Sequence, residues 1–257
     1  MSTERILSTQ QVEQFTRDGY LILPQHVRAE ALQELQQVTR EQLNLRQPPF
    51  ELEAEVSYPG APASQQAAGG QTIRRLLQAY DRHPAYRDWA ENLALTAAVQ
   101  QLLRTKKLYI NPNHHNCVMT KQPEFSSQTN WHRDTRYWHF NNKYLINAWL
   151  ALGDEKAENG GMLILPGSHR WDISAEALDD AQFLLEDHPN NVGRLSLAKQ
   201  VDLNAGDCLL FSAHCFHAAG ANHTQKRKFS LVFTFHGEAT HSLPETKSSQ
   251  AEPIKVL

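Results

Sequence analysis

A change of texture near residue 105 restricts the fold more than any other feature of this chain. Ahead of it, apolar residues recur at helical spacing. Beyond it, short apolar runs alternate with Asn, Gly, Asp and Pro clusters. Ser8 supplies a hydroxyl cap before Val12 and Phe15, and Gly19 a stop, which predicts a first helix. Tyr20-Leu21-Ile22-Leu23 then reads as a strand ended by Pro24. Ala31, Leu32, Leu35, Val38 and Leu43 mark an amphipathic helix over 29–45. Residues 47–70, rich in Pro, Ala, Gly and Gln, read as a long surface loop and a candidate lid. Helical signals return from Thr72 to about Leu103. Strands are predicted over 107–110, 115–121, 145–152, 161–165, 208–213 and 228–236. A helix or loop insertion is expected over 174–189, and a polar tail of low order beyond His241.

Helices first and many short strands after define a fold class that is mainly β with flanking helices. Periodicity alone does not separate a jelly roll from another sandwich or a barrel. The 257 residues fit one domain, with 1–104 mainly helical, 105–240 the β core and 241–257 the tail.

Several function classes are disfavoured by composition. Twenty-five basic residues against 28 acidic ones leave a formal charge of −3, with no electrostatic footprint for nucleic acid or an anionic membrane. No run approaches the roughly 18 apolar residues of a membrane helix, and Met1-Ser2-Thr3-Glu4-Arg5 lacks a leader's pattern. Cys117, Cys208 and Cys215 are odd in number and form no C-x-x-C pair, which argues against a disulfide framework or a cysteine zinc site. A cytoplasmic protein acting on a small molecule is expected; neither substrate nor oligomeric state is written in the sequence. Histidine stands out: nine of the 13 lie between residues 114 and 223.

The segment Asn130-Trp131-His132-Arg133-Asp134-Thr135-Arg136-Tyr137-Trp138 gives those histidines a chemical context. Residues two apart on a strand leave the same face, so His132 and Asp134 can take adjacent positions on one metal. A second histidine would complete the two-His, one-carboxylate triad of non-haem Fe(II), which leaves positions open for a cosubstrate and O2. An H-x-D tripeptide alone is weak, since His132 can equally bond Asp134 at a surface turn. Downstream, Gly206-Asp207 turns into an apolar strand that delivers His214 and His217. These lie three apart and cannot share a strand face. Arg227 opens the last strand, where a guanidinium can hold the distal carboxylate of a dicarboxylate cosubstrate, or simply sit in solvent.

Taken in order, these residues resemble the phytanoyl-CoA dioxygenase family. Phe15-Thr16-Arg17-Asp18-Gly19-Tyr20 resembles its first helix and strand, and Trp131-His132-Arg133-Asp134 its first two iron ligands. Asn159 to His169, ending in Pro166-Gly167-Ser168-His169, is similar to its most recognisable strand and turn. His217-Ala218-Ala219-Gly220-Ala221-Asn222 matches the third ligand, and Arg227 the 2-oxoglutarate clamp. The resemblance implies a double-stranded β-helix, or jelly roll, and Fe(II), O2 and 2-oxoglutarate as cofactors, with release of succinate and CO2. It implies His132, Asp134 and His217 as metal ligands, and Lys121 and Trp149 as further residues seating the cosubstrate. Asp134 occupies the position that halogenating relatives leave to chloride, so hydroxylation of an aliphatic carbon is the implied outcome. Ala218 and Ala219 depart from the small polar residues often found after the distal histidine.

His169 is assigned no metal. Of His114 and His115, strand alternation lets at most one point inward. Arg136 and Trp138, with Arg74 and Arg75 on the expected helix, are candidate contacts for a small, polar, anionic substrate. Two other readings of the same donors stand beside this one. They are a cupin-like hydrolase or isomerase on Zn(II) or Ni(II), and a non-catalytic metal-binding member of the fold.

Overall fold

Local sequence explains where the first elements start and stop in the computed structural model, which describes residues 6–257. The opening pentapeptide, on which the expectation of no leader rests, lies outside the described residues. Helix α1 (Thr9–Asp18) begins with a capping box between Ser8 and Gln11 and ends at Gly19, whose φ of 79° is left-handed. A side chain at Gly19 would collide with His169 and Cys215. The opening helix and the Pro-Gly-Ser-His turn therefore sit against one another. Strand β1 (Tyr20–Leu23), helix α2 (Ala29–Leu45) and strand β2 (Phe50–Leu52) follow.

The stretch expected to be helical from Thr72 opens instead as strand β3 (Ile73–Leu77). The apolar pair Ile73 and Leu76 has its backbone partners waiting: β3 is hydrogen-bonded between β2 and a later strand, and cross-strand pairing overrides local helix preference. Helices α3 (Ala79–Arg82), α4 (Pro84–Ala90) and α5 (Leu93–Leu103) are separated by the His83 cap before Pro84 and by Asn92, whose side chain caps α5. Residues 47–70 are not a free loop. They contain β2, a short 3-10 turn at Glu53–Glu55, and Tyr58, whose ring meets Phe183 edge-on at 6.0 Å.

Strands β4 (Leu108–Ile110), β5 (Asn116–Lys121), β6 (Thr129–His132), β7 (Leu145–Ala151) and β8 (Met162–Ile164) come next. After them come helix α6 (Pro189–Leu195) and strands β9 (Lys199–Gln200), β10 (Cys208–Ser212), β11 (His217–Ala219), β12 (Lys228–Gly237) and β13 (Ile254–Lys255). The larger sheet runs β1-β10-β7-β12-β5-β3-β2, with β4 and β13 continuing from β12; the smaller runs β6-β11-β8-β9. Every pairing is antiparallel, and the two sheets form a jelly roll.

Alternation along the strands of the larger sheet gives each of its faces a core, and Trp131 and Ala218 of the smaller sheet join a third cluster with Leu165, Leu184 and Phe216. Ile146, Ala148 and Leu150 of β7, with Leu231, Phe233 and Phe235 of β12, pack outward beneath the helices. Trp149, Leu209, Phe211 and Val232 point inward and meet Met162 and Ile164 of the smaller sheet. Burying such a side chain stabilises by roughly 1.5–3 kcal/mol, so a one-residue register slip on β12 would be prohibitive. The tail is ordered, against the expectation from its polarity: β13 pairs with β4, and Ser248 is fully buried. No helix among the described residues is long and apolar enough to cross a membrane.

Candidate metal centre and its cavity

The smaller sheet places the histidines. β6 ends on His132, β11 begins on His217, and the two are register partners with ring centroids 4.2 Å apart. Beyond His132 the chain turns into the 3-10 segment Asp134–Arg136, which brings the carboxylate back beside both rings. Asp134 Oδ1 lies 3.7 Å from Nε2 of each histidine. One ligand atom from each of the three residues falls within 4.8 Å of the others, and all three side chains are buried.

The surroundings prepare these groups for a cation. His132 Nδ1 lies 2.8 Å from the Asn130 carbonyl and His217 Nδ1 3.1 Å from the Cys215 carbonyl. A proton donated there leaves each Nε2 lone pair facing Asp134. Asn147 donates from Nδ2 to Asp134 Oδ2 at 2.6 Å and accepts from Thr234 Oγ1 at 2.5 Å, a fully buried chain that fixes the carboxylate plane. Burial alone would raise the Asp134 pKa, but His115 and His217 beside it hold it well below the usual carboxylate range. Burial and the neighbouring His132 push His217 down to about 3, which keeps its imidazole neutral. Two imidazoles and one ionised carboxylate on one side of a cavity suit a six-coordinate divalent metal with open positions.

That cavity has a volume of about 550 Å3, within the range of small-molecule sites. At one end stand Lys121, Trp149 and Lys228. Lys121 Nζ donates to the Ser127 and Gly220 carbonyls at 2.6 and 2.7 Å. Burial, with Lys228 and Arg74 nearby, lowers its pKa to about 7. Lys228 is the register partner of Lys121, is buried, and pairs with Glu155 at 2.8 Å. Glu155 also accepts from Trp149 Nε1 at 3.0 Å and Ser230 Oγ at 2.6 Å.

Arg227, the expected clamp, is exposed, bonds Gln122, and does not line the cavity. The reason is strand parity. Phe229, Leu231, Phe233 and Phe235 share the outward face with Arg227, whereas Ser230, Val232 and Thr234 share the inward face with Lys228. The strict apolar alternation from Phe229 to Phe235 carries that signal in the sequence itself.

The other sequence candidates fall as follows. Arg74, Arg75, Arg136 and Trp138 all line the cavity, though Arg74 and Arg75 stand on β3 rather than a helix. Both reach Glu51, whose two oxygens they share. Arg136 donates to Tyr58 Oη at 3.1 Å and lies 3.8 Å above the Phe183 ring. His214 stands outside the ligand cluster, with Nδ1 2.7 Å from Thr135 Oγ1. His169 lies 3.8 Å from the Cys215 sulfur, within the turn that packs on Gly19. Both His114 and His115 border the cavity, contrary to the alternation argument, because β5 starts only at Asn116. Nε2 of His115 sits 3.1 Å from Asp134 Oδ1. Asn147 and Glu155 went unnoticed in the sequence: each is a single polar residue, and nothing local marks its partner.

Residues 15–230 match the family model described as phytanoyl-CoA dioxygenase (PhyH). An ectoine dioxygenase of Halomonas elongata is 24% identical over 96% of this chain and 75% of its own length. The crystal structure of EctD from S. alaskensis with 2-oxoglutarate and 5-hydroxyectoine aligns with a TM-score of 0.76 at 17% identity, over 95% of this chain and 80% of that one. The epimerase SnoN, in complex with Fe3+, alpha ketoglutarate and nogalamycin RO, aligns with a TM-score of 0.71 at 21% identity, over 91% and 85%.

Proposed function

The chain belongs to the phytanoyl-CoA dioxygenase family, and on that footing we propose that it is an Fe(II)- and 2-oxoglutarate-dependent dioxygenase hydroxylating an aliphatic carbon of a small, polar, anionic metabolite. One observation carries the reading: the buried His132, Asp134 and His217 cluster opens into a cavity lined by Lys121 and Lys228 and by Arg74, Arg75 and Arg136. His132, Asp134 and His217 would hold Fe(II). Bound there with 2-oxoglutarate and O2, the metal supplies the oxidising power that turns C–H into C–OH while the cosubstrate leaves as succinate and CO2.

The chain's own part is binding, orientation and exclusion of water. Lys228, with Lys121 opposite it, receives the distal carboxylate of 2-oxoglutarate, and Trp149 walls that subsite. A lysine is a point charge and does not impose the bidentate geometry of an arginine. Arg74, near Lys121, shares the Glu51 carboxylate with Arg75. Arg136 has no carboxylate within ion-pair distance among the described residues. This excess of positive charge favours an anionic substrate, and Trp138 offers its carbon skeleton an apolar wall. Residues 1–257 act as one oxygenase domain.

The test has two arms. Calorimetric titration of 2-oxoglutarate into the Mn(II)-loaded protein should show stoichiometric binding. Succinate release with Fe(II) and ascorbate, screened over a metabolite panel, should rise with anionic compounds and not with their neutral analogues. A protein that binds the metal but not 2-oxoglutarate would refute the cofactor class; equal stimulation by neutral analogues would refute only the substrate class.

A further inference from the structure

The end of the cavity opposite the lysines is closed by a segment that lies beyond the family-matched residues 15–230. Lys247 and Gln250 line the cavity from the C-terminal side of the fold. Between them Ser248, fully buried, acts as a pin. Its hydroxyl accepts from the His139 amide at 2.9 Å and lies 2.7 Å from His114 Nε2. Its carbonyl accepts from Asn111 and Asn113 side chains at 3.0 and 3.2 Å. The pairing of β13 with β4 anchors the chain just beyond.

The pin is continuous with the metal site. His114 stacks on Trp138 with centroids 4.4 Å apart and planes 21° apart. Trp138 meets His115 edge-on at 5.2 Å, and His115 touches Asp134. The orientation of Trp138, which faces the reacting space, is thus set from the C-terminal segment. The His114 pKa is lowered to about 3 by burial first and then by His115 and Lys247, and Lys247, exposed, lines the cavity. It has no carboxylate partner among the described residues.

We propose that residues 246–250 are a substrate-specificity strap. Lys247 receives a carboxylate or similar anionic group remote from the oxidised carbon, and Ser248 is a positioning residue that holds both Lys247 and, through His114, the Trp138 wall. The proposal rests on the oxygenase reading above and adds to it the element that selects the substrate. His132, His217, Lys121 and Lys228 sit on strands, where small displacements are costly, whereas the exposed Lys247 can change with little effect on them.

The experiment uses full-length protein loaded with Zn(II) and 2-oxoglutarate, which is redox-inert and leaves the cosubstrate subsite filled. Pentanoate and cyclohexanecarboxylate are compared with pentanamide and cyclohexanecarboxamide by ligand-observed NMR. The acids should bind roughly two- to fivefold more tightly than the amides, the upper part of the range expected of an exposed ion pair. Lys247→Glu should abolish that preference while 2-oxoglutarate binding stays within about twofold. Ser248→Ala should weaken both acids and speed amide exchange over 246–250 with 2-oxoglutarate affinity held, while the melting temperature falls only by the few degrees that lost buried hydrogen bonds cost, which separates positioning from unfolding. Acid and amide binding alike in the wild type, or a preference that survives Lys247→Glu, overturns the strap. If 2-oxoglutarate itself fails to bind the wild type, the oxygenase reading falls and takes the strap with it.

Discussion

Replacing Lys228 by Met tests the site where strand parity and sequence position disagree. The ammonium is 2.8 Å from Glu155 Oε2, with side-chain exposures of 4% and 1%. Removing one partner of such a buried pair costs about 3–5 kcal/mol, because the other charge is left desolvated. At about 2–4 °C per kcal/mol for a chain of this size, the melting temperature should fall by about 6–20 °C. Adding Glu155→Gln removes the stranded charge while keeping an acceptor for Trp149 Nε1 and Ser230 Oγ, so the double variant should recover most of that loss. Cosubstrate affinity should not recover with it. Losing a desolvated countercharge costs about 2–5 kcal/mol, or about thirtyfold to a few thousandfold in Kd. Arg227→Ala, at an exposed position, should shift stability by less than about 0.5 kcal/mol and leave the Kd within about twofold. Calorimetry with 2-oxoglutarate on the Mn(II)-loaded variants reads all three. The parity argument is refuted if Arg227→Ala loses the cosubstrate while the Lys228→Met, Glu155→Gln protein keeps it.

Three further outcomes follow from the same geometry. His132→Ala, Asp134→Ala and His217→Ala should each lose metal binding and turnover with far-UV circular dichroism unchanged, whereas His214→Ala should keep the metal; the reverse pattern for the last two would reassign the third ligand. Asn147→Leu strands Asp134 Oδ2 and the Thr234 hydroxyl, and should weaken metal affinity by about 10–100-fold; an unchanged isotherm would show that Asp134 keeps its pose unaided. Lys121, lowered by burial and then by Lys228 and Arg74 to about 7, should make 2-oxoglutarate binding depend on pH. Affinity should be level below about pH 7 and fall by up to about tenfold per unit above it, until the pKa of the anion-bound lysine is reached. Lys121→Met should flatten that profile, and a wild-type profile already flat from about pH 6 to 9 would discount the lysine.

Much of this was legible because the chain advertises its periods. The capping box at Ser8, the left-handed stop at Gly19 and the apolar alternation of β12 are local signals, and the structure realises each of them. Errors came where a distant partner decides. Residues 73–77 carry no strand signature of their own; they are a strand because β2 and β5 flank them. The polar tail has little to bury, yet β4 offers it an open edge and Asn111, Asn113 and His114 offer Ser248 hydrogen bonds. At the candidate site, H-x-D was readable because both ligands lie in one short segment. That Lys228 rather than Arg227 faces the cavity was also readable in principle, from the faces of the phenylalanines. Asn147 and Glu155 were not, since a lone buried polar residue reveals its purpose only with its partner in place.

Sheet geometry also accounts for how the cavity is divided. His132 and His217 are adjacent strand ends, and Lys121, Trp149 and Lys228 are inward positions of β5, β7 and β12, so both histidines and these three residues ride on paired backbone. Displacing any of them means breaking ladder hydrogen bonds and moving fully buried side chains such as Phe211 and Phe233. Tyr58, His114, Trp138 and Lys247 come instead from connections whose positions depend on side-chain contacts. Contacts of that kind can be exchanged one at a time, each at the cost of about one hydrogen bond. Residues of this second kind can therefore vary with less disturbance to the sheets than Lys121, Trp149 or Lys228, although the His114–Trp138–His115 contacts still connect them to Asp134.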